Sequence, residues 1–312
     1  MKAGNRTQTA IERSRPGVWL KNIRQFGKLC ATSLGILLLC AFPASAEKIS
    51  SPLAQQALTR QQVQQHLAPA NVVYLGETHD SPEDHLAQLQ IIQELHRLSP
   101  KIAIAMEMFQ RPYQGALDDY LAGKIAEGEL VERTEYERRW GFPWEYYAPI
   151  LRFAKENRLP VLALNTPSEV TRQVSRAGLS SLTPEQRQHI PPISEILTGS
   201  AEYRQMVLES FQAHQRAGYG SAADSERFFL AQVLWDETMA EKIAQFLAAN
   251  PDYQVVALAG QAHIVCGYGI PSRVARRVSS ANFLQRLVLL NPDPELSCRT
   301  DKPVADFFWF SS

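Results

Sequence analysis

Cysteine is scarce in this sequence, with four residues in a chain of 312. Two of them, Cys30 and Cys40, lie in an N-terminal segment that we expect to be removed, and Cys266 and Cys298 remain. Two cysteines this far apart do not have the spacing of a zinc knuckle. A disulfide between them is compatible with the sequence, but their spacing alone does not establish it.

The sequence also lacks the motifs of several large enzyme classes. It has no Walker phosphate-binding loop, no G-x-S-x-G nucleophile elbow and no H-E-x-x-H zinc motif. The usual signatures of nucleotide-binding proteins, serine hydrolases and zincins are therefore missing. A functional site has to be sought among residues that lie far apart in the chain.

The N-terminal apolar run is shorter than a membrane span. Residues 29–43 are apolar or small throughout, whereas a spanning helix needs ~20 such residues. A basic segment precedes this run and the small residues 44–46 follow it, which is typical of a secretory signal peptide. We therefore expect residues 1–46 to be a signal peptide and the protein to be exported to the periplasm or the cell surface. Membrane association is expected only if the signal stays uncleaved or Cys40 is lipidated, and Leu39 is bulky for a lipidation site.

The zero formal net charge conceals an acidic body. Residues 1–46 hold seven of the 32 Lys and Arg residues and one of the 32 acids, so the remainder carries 25 positive and 31 negative charges. An acidic surface gives no electrostatic reason to bind nucleic acid. We therefore predict no nucleic-acid partner.

One stretch near the start of the mature chain organises the rest. Apolar residues run from 72 to 75 into a glycine, and Glu77 and His79 follow at once. Ser81 is a natural N-cap, and Asp84 completes a capping box, so a helix begins there. This order predicts a buried strand, a tight turn and a helix, with both ionisable side chains at the carboxyl end of the strand, where open α/β sheets bind ligands.

Further apolar runs alternate with helical segments along the chain. They predict strands at residues 102–109, 161–164, 255–260 and 287–290. Strands separated by helices pair in parallel. We therefore predict a three-layer α/β/α domain with a mainly parallel central sheet in residues 47–312, and we expect the polar segment 169–227 to be a helical insertion or lid. The tail after Pro292 is expected to be rich in turns.

Polar side chains stand at the ends of four predicted strands: Glu77, His79, Glu107, Asn165, Gln261 and His263. Two carboxylates and two imidazoles on one edge suit a divalent metal such as Zn, Mn or Fe, and they equally suit acid–base catalysis. We therefore take Glu77, His79, Glu107 and His263 as candidate catalytic residues and metal ligands. Each also has a structural interpretation, and Glu107 in particular could pair with Arg111.

Three other features have two interpretations each. His85 lies in the first turn of a helix, where the dipole disfavours a cation, and it is expected to be neutral and half exposed. The aromatic residues from Trp140 to Tyr147 either pack together or form the wall of a ligand site. Asp236, in an apolar helix, is either a solvated side chain or a buried partner for a His or Arg at the strand ends, the edge that we call the rim.

Five short motifs in this order resemble the ChaN-like haem-binding, iron-regulated proteins, a family similar to a wider group that includes the Tiki and TraB proteins and the erythromycin esterases. The motifs are Gly76–Asp80, Glu107–Pro112, Asn165–Pro167, Leu234–Ala240 and Gly260–Pro271. The resemblance covers about residues 71–290, most of the mature chain.

The resemblance implies a three-layer fold, export, and haem binding for iron uptake, with haem held between two subunits and a tyrosine as iron ligand. Tyrosine and histidine both ligate haem iron in proteins. Tyr113 is the first candidate here, followed by Tyr120, Tyr146 and Tyr147. The other candidate cofactor-binding residues are His85, Arg111, Asn165 and Gln261. Through the wider group, the resemblance also implies an alternative function, a metal-dependent hydrolase that uses the Glu and His residues of the rim.

Overall fold

A sheet of eight strands forms the centre of the protein in the computed structural model, which describes residues 47–216, 225–298 and 301–311. In chain order the strands are β1 (Lys48–Ser51), β2 (Gln56–Leu58), β3 (Val72–Glu77), β4 (Ile102–Gln110), β5 (Val161–Asn165), β6 (Gln254–Gly260), β7 (Gln285–Leu290) and β8 (Phe307–Phe310). Their order in the sheet is β2-β1-β8-β7-β3-β6-β4-β5. All pairs from β8 through β5 are parallel, whereas β1 pairs antiparallel with both of its neighbours.

Helices cover both faces of this sheet. They are α1 (Arg60–Leu67), α2 (Pro82–Leu98), α3 (Gln114–Leu121), α4 (Glu127–Arg133), α5 (Tyr136–Arg139), α6 (Ala148–Glu156), α7 (Ser168–Ala177), α8 (Pro184–Arg187), α9 (Ala201–Arg216), α10 (Ser225–Ala249) and α11 (Ile270–Arg277). Buried residues of α1 to α6 belong to one apolar core, and those of α7, α9, α10 and α11 belong to a second. The predicted three-layer α/β/α fold with a mainly parallel sheet is confirmed.

The strands at the centre of the sheet are buried along their whole length. Successive residues of β3 alternate between the two cores: Val73 and Leu75 face one, and Val72 and Tyr74 face the other. This alternation is the period of two that a strand imposes on its side chains. Because both faces are covered, the sequence of such a strand is continuously apolar until its carboxyl end.

The edge of the sheet differs from the sequence prediction. The tail after Pro292 was expected to contain turns, but Phe307–Phe310 forms β8 and pairs in parallel with β7. Strands β1 and β2, at the start of the described chain, were not predicted either. All three are only three or four residues long, and such short runs carry little periodic signal.

The segment expected to be a lid contributes to the core instead. Val170 and Val174 of α7 and Tyr203, Val207 and Phe211 of α9 are all buried in the second core. Each group is spaced four residues apart, which places its members on one helix face. These short apolar helix faces are hard to recognise in the sequence, because polar residues and prolines surround them. Residues 217–224, near the end of the expected insertion, lie outside the described residues.

A disulfide joins Cys266, just after β6, to Cys298 in the segment that follows β7. The sequence left this bond open, and the structure contains it. The expected signal peptide, residues 1–46, lies outside the described residues. In the part of the chain that is described, no helix is both long and apolar enough to cross a membrane.

Candidate functional site

The turn after β3 holds Glu77 and His79 in place. Asp84 Oδ2 accepts a hydrogen bond from the Thr78 N–H at 2.8 Å, and Ser81 Oγ caps α2 by accepting from the Asp84 N–H at 3.2 Å. The expected capping box is therefore not completed, because the Asp84 carboxylate reaches back to Thr78 instead of the Ser81 N–H. This hydrogen bond joins the turn after β3 to the first turn of α2.

Glu77 is a buried carboxylate with both oxygens in hydrogen bonds. Oε1 accepts from Tyr147 Oη at 2.5 Å and lies 2.8 Å from His79 Nδ1. Oε2 accepts from Gln88 Nε2 at 2.6 Å. Burial and the negative charge of Glu77 raise the pKa of Tyr147 far above its usual value, so this phenol remains a proton donor. Glu77 is therefore fixed from two sides, and it orients the imidazole of His79.

His79 is the most exposed member of this group, with 29% of its side chain accessible. Its ring packs against both Trp140 and Phe142, with centroid distances of 4.8 and 5.2 Å. Burial alone would lower the pKa of His79, but the hydrogen bond that His79 donates to Glu77 and the negative charges of Glu107 and Glu77 outweigh it and raise the pKa. An imidazole held through Nδ1 by a carboxylate, with Nε2 on the open side, has the orientation of a general base.

A second polar network lies at the ends of β4 and β6. Glu107 Oε2 accepts from the Gly260 N–H at 2.8 Å, and Glu107 Oε1 lies 3.4 Å from His263 Nε2. On its other side, His263 Nδ1 lies 2.5 Å from Asp236 Oδ1, and Asp236 Oδ2 accepts from Tyr203 Oη at 2.5 Å. These residues form a continuous chain of hydrogen bonds and ion pairs from the rim into the core beneath α10.

Charge, rather than burial, determines the protonation of this second network. Burial alone would raise the pKa of Glu107 and lower that of His263. The attraction between Glu107 and His263, together with the charge of Asp236, reverses both effects: the pKa of Glu107 is lowered and that of His263 is raised. His263 is therefore a buried imidazolium between two carboxylates. The open question about Asp236 is also answered, because it is fully buried and pairs with His263.

The two networks meet at Gly260. A Cβ atom at this position would lie 2.9 Å from His79 Nε2 and 3.9 Å from Glu107 Oε2. Glycine is needed here because the imidazole of His79 occupies the space that a side chain would take. Strands β3, β6 and β4 are neighbours in the sheet, so the expectation that these strand ends share one edge is confirmed.

The predicted divalent-metal site is not supported. Among residues 47–216, 225–298 and 301–311, no group of three or more His, Cys, Asp or Glu side chains is arranged to hold a metal ion. The physical reason is that the candidate donors already satisfy one another. Glu77 accepts three hydrogen bonds, and His263 is enclosed by Glu107 and Asp236. Only His79 presents a nitrogen toward the open side.

Two candidate residues occupy positions other than those expected. His85 was expected to be half exposed, but it is 4% exposed, stacks on Tyr146 at 4.9 Å, and places Nε2 3.1 Å from the His79 carbonyl. Arg111 was a possible partner of Glu107, but it pairs with Glu241 at 2.7 Å. The helix α10 that carries Glu241 packs over the end of β4 and captures this guanidinium.

Asn165 and Gln261 lie on the same edge but have different surroundings. Gln261 Nε2 donates to the Leu290 carbonyl at 2.6 Å and ties β6 to β7, which is a structural role. Asn165 is buried at the end of β5, and its Oδ1 has no hydrogen-bond partner within the described part of the chain.

Exposure separates the four candidate tyrosines. Tyr120 and Tyr147 are buried, whereas Tyr113 and Tyr146 are half-buried. Tyr113 donates from Oη to Glu135 Oε2 at 2.7 Å, and the Arg139 guanidinium lies 5.0 Å from its ring centroid. Burial and the hydrogen bond to Glu135 raise the pKa of Tyr113.

Tyr113 lines a cleft of about 310 Å³ on the carboxyl side of the sheet. Its apolar walls are Pro112, Pro167 and Val170, and Arg139 and His189 also line it. A separate apolar cavity of about 330 Å³ has walls that include Phe228, Met206 and Leu296, with Gln232 and Gln261 at its polar side. Gln232 Nε2 lies 3.0 Å from His263 Nδ1, so this cavity adjoins the second network.

Several residues of the two networks were not found from the sequence. Gln88 could have been found, because it lies four residues after Asp84 on the helix face that also carries Ile92 and Leu95. A polar residue on a buried helix face needs a partner. Tyr203 had no such signal, because the segment that contains it was assigned to a lid, and Tyr147 was noted only as a member of the aromatic cluster.

Comparisons with known proteins agree with this fold. A family model described as "Haem-binding uptake, Tiki superfamily, ChaN" matches residues 63–274. The solved structure "Cofacial heme binding to ChaN of Campylobacter jejuni" superposes with a TM-score of 0.64 and 17% identity, covering 85% of this chain and 97% of the other. A mutant of the erythromycin esterase EreC superposes with a TM-score of 0.46 and 14% identity, covering 84% and 82%.

A curated relative comes from a plant. Protein RETICULATA-RELATED 5, chloroplastic, of Arabidopsis thaliana is 28% identical over 268 residues, which is 81% of this chain and 36% of that protein. The chain therefore spans only about a third of this relative's length. Because the family model covers well over half of the present sequence, the chain belongs to the ChaN haem-binding uptake family of the Tiki superfamily.

Proposed function

We propose that this protein is exported, binds haem through Tyr113, and takes part in haem-iron uptake. The observation that carries the proposal is the Tyr113 cleft, which places an accessible phenol on the carboxyl edge of the sheet in a member of a haem-binding family. Tyr120 and Tyr147 are too buried to reach a large ligand.

The residues around Tyr113 suit a porphyrin. Proline and valine side chains offer apolar walls. Arg139 is ion-paired with Glu135 and Glu169, so a propionate carboxylate would bind it by replacing one of these partners. When bound, haem supplies a Lewis-acidic iron that favours a phenolate ligand. Glu135 accepts the hydrogen bond from Tyr113 Oη, so this carboxylate holds the phenol oxygen in position.

The size of the cleft favours a shared ligand. About 310 Å³ is at the lower end of the range for small-molecule sites, which is roughly 300–1,000 Å³. A porphyrin in this cleft would leave one side uncovered. A second subunit that covers this side fits these dimensions, so we propose a homodimer around haem.

Two features support export. The N-terminal residues have the pattern of a signal peptide, and Cys266 and Cys298 form a disulfide. Disulfides persist in the periplasm and at the cell surface, and they are rare in reducing compartments.

A hemin titration tests haem binding. We expect the mature protein to give a saturable Soret shift, and Tyr113→Phe to abolish it while the fold is retained. Tyr146→Phe is the matched control, because Tyr146 is also half-buried and stacks on His85 outside the cleft. No Soret shift for the unmodified protein would reject the function. Loss with Tyr146→Phe instead of Tyr113→Phe would reject only the assignment of the ligand.

A second candidate function is hydrolysis by acid–base catalysis, and the pair of Glu77 and His79 favours it. Glu77 fixes Nδ1 of His79, and Nε2 lies beside Gly260. The ring packs against Trp140 and Phe142, and 29% of the side chain stays accessible. In this function His79 takes a proton from water, and Glu77 stabilises the resulting imidazolium.

Ester hydrolysis in the presence of a chelator tests this candidate. With p-nitrophenyl esters as substrates, His79→Gln is expected to lower the rate by roughly 10²–10⁴-fold, the usual contribution of a general base. His66→Gln is the matched control, because His66 is exposed and lies on α1, outside both polar networks. Equal rates for the two variants would rule out His79 as the base.

A further inference from the structure

Three arginines surround one carboxylate on the face of the protein that α10 and α11 form. Glu237 of α10 is completely buried, and Arg273, Arg276 and Arg277 of α11 lie 3.3, 2.7 and 2.6 Å from its oxygens. A fourth contact comes from the Leu197 N–H, which donates to Glu237 Oε1 at 3.1 Å. One negative charge cannot balance three guanidinium groups, so the cluster carries excess positive charge.

This cluster opens into a cavity of about 460 Å³ between α11 and the segment before α9. Arg273, Arg276 and Lys302 line the cavity, and Glu237 is the only acid among the lining residues that the structure describes. Arg273 is only 2% exposed, and its guanidinium is held by Glu237 and by the Tyr268 carbonyl. It therefore adds positive charge beside the cavity, where a charge is screened less than in bulk water.

Hydrogen-bonding groups surround the same space. Thr198, Ser200 and Ser272 line it, and their hydroxyl groups can donate or accept. Arg276 is the most exposed of the three arginines, with 34% of its side chain accessible, so its guanidinium can reach a ligand in this space.

One acid at the entrance reduces the positive charge. Glu202, at the start of α9, is hydrogen-bonded to Ser200, and this bond together with the charge of Lys302 lowers its pKa. Counting Glu202 and Glu237 against Arg273, Arg276, Arg277 and Lys302 still leaves an excess of two positive charges. An oxyanion of charge −1 to −2 would neutralise this excess.

We propose that this cavity, which we call the arginine cavity, binds a phosphate group, either as inorganic phosphate or as the terminal group of a phosphate monoester. Arginine forks match the oxygens of phosphate in paired hydrogen bonds. The site is lined by residues other than those of the Tyr113 cleft, so phosphate binding can be tested independently of haem binding.

Calorimetric titration of the mature protein with sodium phosphate tests the proposal, with sodium chloride used to hold the ionic strength constant. We expect saturable binding of one phosphate per chain. Lys302→Gln and Arg276→Gln are each expected to weaken the affinity by about tenfold or more, because each removes a charged hydrogen-bond donor. Arg276→Gln should fold, because Arg273 and Arg277 still neutralise Glu237.

The controls remove the same charges elsewhere. Lys101→Gln and Arg97→Gln change exposed cations that do not line the cavity, and phosphate affinity should stay within twofold of the unmodified protein. The proposal is overturned if phosphate gives no saturable heat. It is also overturned if Lys302→Gln, at the exposed end of the cavity, binds phosphate as tightly as Lys101→Gln does.

Discussion

Substitution of Asp236 by asparagine tests the buried ion pair at the centre of the second network. Asp236 is fully buried, lies 2.5 Å from His263 and accepts from Tyr203 at 2.5 Å. Asparagine keeps the shape but removes the charge, so His263 keeps only Glu107 as a counter-charge. Removing one partner of a buried ion pair typically costs about 3–5 kcal/mol. We therefore expect the free energy of unfolding to fall by about this amount.

The pKa values of His263 and Glu107 also predict how the stability loss in Asp236→Asn changes with pH. The pKa of His263 is raised in the folded protein, so its contribution to stability is complete below the unfolded imidazole pKa of about 6.5 and declines as pH rises through the folded value. The pKa of Glu107 is lowered, so its contribution is present above about 4.5 and lost in acid. The difference between the unmodified protein and Asp236→Asn should therefore be largest near pH 5.5 and smaller at pH 9.

Urea denaturation followed by tryptophan fluorescence measures both effects. Tyr203→Phe is the control, because it removes one hydrogen bond to Asp236 but leaves the charge, and it should cost less, about 1–3 kcal/mol. A loss below about 1 kcal/mol for Asp236→Asn would refute the assignment of His263 as a buried imidazolium. An equal loss at pH 5.5 and pH 9 would refute it as well.

Three further substitutions test the packing of the site. Gly269→Ala should severely destabilise the fold, because a Cβ atom there would lie 2.3 Å from the His263 carbonyl oxygen, and thermal melting would show the loss. Tyr147→Phe removes a donor from the buried Glu77 carboxylate, and we expect urea denaturation to show a loss of about 1–3 kcal/mol; an unchanged midpoint would contradict the hydrogen bond. Cys298→Ala removes the disulfide and should cost about 2–4 kcal/mol, with the same loss in the unmodified protein after reduction.

The sequence predicted the edge of the sheet better than its surroundings. Glu77, Glu107 and His263 follow continuously apolar strands, and apolar runs of that kind have few alternatives to buried parallel strands. Their convergence then follows from the topology. The hydrogen-bond partners of these residues come from helices and loops. Their separation along the chain does not indicate the contact, because Tyr147 is 70 residues from Glu77 and Asp236 is 27 residues from His263.

The predicted metal site has no support in the structure for a related reason. Two carboxylates and two imidazoles on one edge are compatible with metal ligation, and residue types alone do not distinguish ligands from mutually paired side chains. The distinction depends on whether other donors reach the carboxylates. Tyr147 and Gln88 saturate Glu77, and the Gly260 N–H and His263 occupy Glu107. No position for the Tyr147 phenol followed from the sequence, and the buried helix face of Gln88 indicates that its amide needs a partner without identifying that partner.

The buried carboxylates at the strand ends already have hydrogen-bond partners, which restricts where a ligand can bind. Each buried carboxylate of the two networks already has its hydrogen bonds, so a ligand that competed for Glu77 or Glu107 would have to break contacts with buried donors. Leaving such donors unpaired costs about 1–3 kcal/mol each. A ligand gains more by binding where polar groups still face open space, and the structure offers His79 Nε2, the Tyr113 cleft and the arginine cavity. We therefore expect the most polar part of the sheet edge to support the site and ligands to bind around it.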